Sequence, residues 1–143
     1  MKKLLVFPLL LLLLLAACKA DENDLVFNGT SENWSAQLTI SVINGAENND
    51  LELKYMGNDV GTIETFNYYL ENTDRGTTFE GNNVSLNKSG IYTNEDMSSN
   101  SPSTTNEDTY IISVDWNGNS ENMVLNIEEA LLNYNTINRI VPL

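Results

Sequence analysis

The sequence predicts an all-β fold, an antiparallel immunoglobulin-like β-sandwich of about seven strands over residues 27–127, behind a cleaved signal peptide. Three observations carry this expectation. Apolar and polar residues alternate with a period of two in several segments, which sets one row of side chains against a core and the other in water. Turn-rich breaks separate those segments. None of them sustains a helical period. The Cys…Trp…Cys pin of antibody domains is missing, because Cys18 is the only cysteine, so the immunoglobulin likeness is one of topology.

The front end comes first in the chain. Lys2 and Lys3 precede an unbroken apolar stretch from Leu4 to Ala17, followed by Cys18. A charged start, a hydrophobic middle and small residues before a cleavage point are the layout of a secretory signal peptide. As a helix the apolar stretch rises only about 21 Å, against a hydrocarbon core of roughly 30 Å. It is too short for a comfortable permanent span. The tetrapeptide Leu15-Ala16-Ala17-Cys18 resembles the lipobox of bacterial lipoproteins. That resemblance implies cleavage between Ala17 and Cys18 and acylation of the Cys18 sulfur, leaving Cys18 as a lipidated N-terminus. One acyl chain holds a protein to a bilayer only marginally and two hold it stably, and a diacylglyceryl cysteine supplies at least two. A free reactive thiol or an uncleaved anchor is the plainer alternative. Residues 18–26 then form an acylated cysteine and tether, in which Lys19 to Val26 extends to about 28 Å at most.

Loss of Met1 to Ala17 removes two of the 7 Lys+Arg and none of the 20 Asp+Glu, so the mature chain carries a formal charge of −15. Such a surface repels phosphate backbones, and nucleic acid is not an expected partner. The chain contains no histidine and no second cysteine. That removes Ser-His-Asp and Cys-His catalysis, a disulfide framework and the usual zinc and heme ligand sets. No cofactor and no metal site are expected.

The strands follow in order. "NWSAQLTISVI" (Asn33–Ile43) sets Trp34, Ala36, Leu38, Ile40 and Val42 against Ser35, Gln37, Thr39 and Ser41. "DLELKYM" repeats the pattern with Leu51, Leu53 and Tyr55 inward. "TIETFNYYL" (Thr62–Leu70) puts Phe66, Tyr68 and Leu70 on one side, and shorter strands are expected at Thr77–Glu80 and Asn83–Asn87. "DTYIISVDW" (Asp108–Trp116) aligns Tyr110, Ile112, Val114 and Trp116, and "ENMVLNI" answers with Met123, Leu125 and Ile127. Asn117-Gly118 between them suits the positive φ angles of a tight hairpin. Asn94 to Asp108, polar and low in complexity, is expected to be a long loop. The tail 128–143 fits an edge strand, a helical turn or an appendage equally.

Two segments of the folded part, "FNGTSENW" (Phe27–Trp34) and "ISVDWNGNSENMVL" (Ile112–Leu125), resemble small lipoproteins of Bacillus-type Gram-positive bacteria. That family has a similar F-x-G-x-S-x-N-W opening and a closing V-x-W-N-G hairpin. The resemblance covers roughly Phe27 to Ile127 and implies the outer face of the cell membrane, within the wall. It brings no known chemistry with it, and the residues beyond Ile127 depart from it.

Candidate chemistry is sparse. Asp115, Asn117, Asn119 and Glu121 resemble calcium-loop ligands in their spacing. The glycine is misplaced for such a loop, however, and Asn126 stands where a bidentate Glu belongs, so a hairpin is the better reading. The clusters Asn48–Asp50, Asn94–Asp96 and Asn106–Asp108 could gather at one end and hold calcium weakly, or simply be solvated. Trp34 and Trp116 belong to the buried rows. Tyr69 points away from Tyr68 and is the best exposed ring for binding a partner. The expected protein is a lipid-tethered, extracytoplasmic binding or interaction module of the cell envelope, not an enzyme. Membrane lipid is its partner through acylated Cys18, and an envelope protein or cell-wall polysaccharide is the further partner. The rivals are a wall hydrolase using paired carboxylates and a calcium-binding or structural module.

Overall fold

The structure, a computed structural model, describes residues 24–99 and 104–127. The expected signal peptide, with the cleavage point between Ala17 and Cys18, the start of the expected tether and the tail 128–143 lie outside them. Eight strands form the domain: β1 (Leu25–Thr30), β2 (Trp34–Ile43), β3 (Ala46–Tyr55), β4 (Phe66–Asn72), β5 (Thr78–Val84), β6 (Ile91–Ser99), β7 (Tyr110–Trp116) and β8 (Asn119–Ile127). All pair antiparallel, in one sheet of order β5-β4-β7-β8-β1-β2-β3-β6. The all-β antiparallel expectation holds. β1, β2 and β3 sit side by side in chain order, whereas an immunoglobulin domain sends its second and third strands to opposite sheets.

The sheet curls until its halves face each other. Among the described residues β8 and β1 pair Phe27 with Ile127 and Asn28 with Asn126. At that joint the half β1-β2-β3-β6 folds over the half β5-β4-β7-β8. Trp34 of β2 packs on Phe66 of β4 and Trp116 of β7 with ring centroids 4.9 and 5.5 Å apart. Phe27 of β1 meets Tyr110 of β7 at 5.0 Å. These contacts bury the rows the alternation marked: Leu38, Leu53, Leu70, Ile112, Val114 and Leu125 are fully enclosed. At about 25 cal/mol per Å² of apolar surface, such burial is the main force holding the halves together.

Two Asn-Gly turns make the long hairpins. Asn117 and Gly118 have φ of 47° and 77°, and Asn44 and Gly45 have 53° and 81°. Positive φ at both central positions matches the right-handed twist of the flanking strands. The second turn allows ten paired positions between β2 and β3, so β3 begins at Ala46, ahead of the expected start.

Other boundaries differ from expectation for physical reasons. The expected loop from Asn94 onward is partly strand: β6 runs to Ser99 and pairs with β3 from Glu47 to Lys54. It is an edge strand held by backbone bonds, with Met97 buried against the core, so it shows no apolar alternation. Thr62 belongs to a short 3-10 turn, Val60–Thr62, with Asp59 accepting a hydrogen bond from the Gly61 N–H. The two short strands expected after Thr77 are one, β5. Val42, expected inward, is 60 % exposed. The β2–β3 hairpin outruns the core, and Val42 and Ile43 lie beyond the buried row that ends at Ile40.

The registers also sort the loops into two ends. At one end lie the start of β1, the β2–β3 turn, the ends of β4, β6 and β8, and the start of β7. At the other lie the β1–β2 turn, the Val60–Thr62 turn, the β5–β6 connection and the β7–β8 turn. The chain enters the domain at the first end.

Candidate binding groove

An open groove of about 660 Å³ lies at the second end, away from where the chain enters. One wall is the β7–β8 hairpin from Asp115 to Ser120, and the other is the stretch Thr62 to Asn67 with Asn83 of β5. Phe66 and Trp116, neighbours across β4 and β7, also line it, with their rings packed on Trp34 in the core. The parity that buries these rings turns Asn67 and Asp115, the next pair in register, outward into water.

Side-chain bonds fix the walls. The Asn117 amide donates to the Thr62 carbonyl at 2.8 Å, tying the hairpin tip to the 3-10 turn. The Asn67 side-chain oxygen accepts from the Asn83 N–H at 2.8 Å. Asn83 has φ of 53°, a left-handed conformation that asparagine tolerates better than most residues. The Ser85 hydroxyl donates to the Glu64 carbonyl at 3.1 Å, holding the start of β4 against the chain after β5. Short side chains bonded to backbone in this way leave few rotamers to freeze when a ligand arrives, which lowers the cost of binding.

Chemically the groove is polar and acidic. Glu64 and Asp115 carry its carboxylates, and Thr62, Thr65, Asn119 and Ser120 add hydroxyls and an amide. Among the described residues no Lys or Arg lines it. Such a surface suits a ligand rich in hydroxyl groups or bearing positive charge, and it disfavours anions. Trp116 is only 7 % exposed, so it offers no open stacking face.

The sequence-derived candidates fall in several places. Tyr69 is 43 % exposed, as its parity requires. It lies outside the groove on the outer sheet face, opposite Ser113 and Glu80. Trp34 and Trp116 are core. The calcium-like spacing is dispersed: Asp115, Asn117 and Asn119 reach the groove, but Glu121 is bound elsewhere. It accepts from the Asn33 N–H at 3.0 Å and the Asn33 amide at 2.6 Å, and also from the Ser31 hydroxyl. Burial pushes the Glu121 carboxyl up, but these bonds outweigh it and hold it below the ordinary range.

The three acid-amide clusters do not make one site. β3 and β6 bring Asp50 near Glu95, and burial, then Glu95 and Asp24, raise the Asp50 carboxyl above its usual range. Asp108 is held by Arg75, Asn72 and Thr105. Among the described residues no group of three or more His, Cys, Asp or Glu is placed to hold a metal ion. Glu64, Asn67 and Asn83 escaped the sequence reading. They are ordinary polar residues until the sheet closes, whereas the Asn117-Gly118 turn and the spacing of Asp115, Asn117 and Asn119 mark the hairpin wall in the sequence.

The fold and groove together define a curled antiparallel sheet with an open, acidic recess at the end opposite its chain entry. No protein-family model, curated protein or solved structure matches the chain. Among the described residues no helix is long and apolar enough to cross a membrane.

Proposed function

We propose that this chain is a lipoprotein anchored through acylated Cys18 to the extracytoplasmic face of the cell membrane, and that it binds a hydroxyl-rich envelope ligand in the distal groove. The placement of the groove carries the reading. β1 receives the tether at one end of the sheet, and the groove opens at the other, so a molecule moored by its N-terminus offers the groove to the wall. The lipobox-like Leu15-Ala16-Ala17-Cys18 and the likeness to Gram-positive lipoproteins support the address.

The sandwich description belongs with this reading: the ring contacts of Trp34 across the core support two facing layers. The chain is read as a binder and not an enzyme. Glu64 and Asp115 share the groove, which is the observation that favours a carboxylate hydrolase. Both stand in water, however, and general-acid catalysis by a carboxyl uses a dry pocket that keeps it protonated. A wall polysaccharide is the ligand class that fits amides, hydroxyls and carboxylates with no cation.

The test is titration of the mature protein with soluble cell-wall glycan fragments, followed by Trp fluorescence because Trp116 lines the groove. Saturable binding that Asn67→Ala weakens about tenfold, with Glu64→Gln and Asp115→Asn leaving no reaction to abolish, supports the reading. Cleavage of the glycan that either carboxylate variant stops replaces it with the hydrolase. No binding at all refutes the glycan assignment.

A further inference from the structure

Among the described residues the tip of the β2–β3 hairpin carries the most exposed large aliphatic side chain, Val42, with Ile43 beside it. Val42 is 60 % and Ile43 52 % exposed, beside the Asn44-Gly45 turn. Turn chemistry alone would be met by polar flanks. Two adjacent large aliphatic side chains exposed at a hairpin tip form a small apolar patch, suited to a shallow apolar contact.

The position says what. Leu25, the first residue of β1, pairs with Ile40, so Ile43 stands three residues farther toward the chain-entry end. At about 3.3 Å per residue the tip reaches about 10 Å beyond the start of β1. The chain from Cys18 to Asp24 spans about 21 Å when fully extended and about 13 Å as a flexible coil. When the strands stand along the membrane normal, the tether's ordinary extension therefore leaves the tip within a few Å of the lipid surface. Linkage turns a weak contact into a frequent one, because the anchored domain samples the surface at high effective concentration.

We propose that Val42 and Ile43 insert into the outer leaflet's interfacial region as a second, non-covalent membrane contact. It rests on the tethered reading and deepens it by fixing how the domain stands. Glu47 stands directly across from Val42, but its carboxylate is buried and accepts from the Thr104 N–H at 2.7 Å, while Asp50 and Asp24 lie behind the tip. Asp50 pairs with Thr39, and Asp24 precedes Leu25, the partner of Ile40; Glu95 sits near Asp50 on β6. These acids stop the domain from sinking past its hairpin, and the groove is thereby held away from the bilayer.

The experiment uses the full acylated protein, purified from membranes and reconstituted in vesicles of phosphatidylcholine and phosphatidylglycerol. Acylation occupies Cys18, so Ile43→Cys gives one reactive thiol for an environment-sensitive fluorophore, and Asn58→Cys at the groove end is the control. The expected result is a blue-shifted emission at position 43, quenched by lipid-borne nitroxide, with position 58 unaffected. Val42→Asp in the Ile43→Cys background should abolish the shift while the protein stays vesicle-bound. A label at 43 as wet as the one at 58, on protein still bound through Cys18, overturns the insertion and leaves the anchor standing. A label shielded from water but blind to lipid nitroxide places another protein surface there and overturns it too. An unmodified Cys18 on unbound protein removes both readings together.

Discussion

Asp108 should make this domain sensitive to acid in a way that one substitution exposes. Its carboxylate is almost enclosed where β4 ends and β7 begins. It accepts from Arg75 Nε at 2.5 Å and Nη2 at 3.2 Å, from the Asn72 amide at 3.0 Å and from the Thr105 hydroxyl at 2.9 Å. Burial pushes the carboxyl up, but the Arg75, Asn72 and Thr105 bonds outweigh it and hold it at about 2. An unfolded aspartate titrates near 3.9, so the depression amounts to about 2.5 kcal/mol at most. Arg75 is 34 % exposed, and solvent screening reduces the figure to about 1–2 kcal/mol. A depressed carboxyl stabilises the fold fully above the unfolded value, and that contribution is lost as pH falls through about 2. Asp108→Asn should therefore cost about 1–2 kcal/mol at pH 7, lowering Tm by roughly 5–10 °C. The gap from the wild type should narrow from pH 5 downward and nearly vanish by pH 2. Unfolding in urea, followed by Trp fluorescence at stepped pH, measures it. A gap of equal size at pH 7 and pH 2 would refute the reasoning, since the cost would then be packing and not charge.

Other expectations are simpler. Gly118→Ala places a Cβ at φ of 77° and should cost about 1 kcal/mol in denaturant unfolding, although open space surrounds the site. Glu121→Gln weakens the bonds that fix Ser31 and Asn33 and should cost about 1 kcal/mol. Hydrogen exchange should quicken in the β1–β2 turn and not in the groove. Millimolar calcium should leave Tm unmoved, because Glu121 and Asp108 are bound within the protein; a clear rise would favour the calcium module. Replacing Cys18 with Ser should release the protein from washed membranes or leave it as an unprocessed precursor.

Much of the core was legible in the sequence and much of the groove was not. Trp34, Leu38, Phe66, Leu70, Val114 and Leu125 announced their burial because a strand turns every second side chain inward. Asn117-Gly118 announced a hairpin because few dipeptides accept two positive φ angles. The same dipeptide at Asn44-Gly45 was overlooked, since the polar run that follows it hides the start of β3. Asn94 to Ser99 resembled a loop because β6 is an edge strand secured by its backbone, with Met97 seated against the core. The groove depends on contacts such as Asn117 with Thr62, 55 positions apart, and no local pattern encodes which polar residues the closed sheet brings together.

The account stands or falls on what residue 18 carries. Intact-mass and N-terminal peptide analysis of the protein taken from cell membranes should show a chain that begins at Cys18, heavier by a diacylglyceryl group. A free thiol at Cys18, or Met1 to Ala17 still attached, would contradict it.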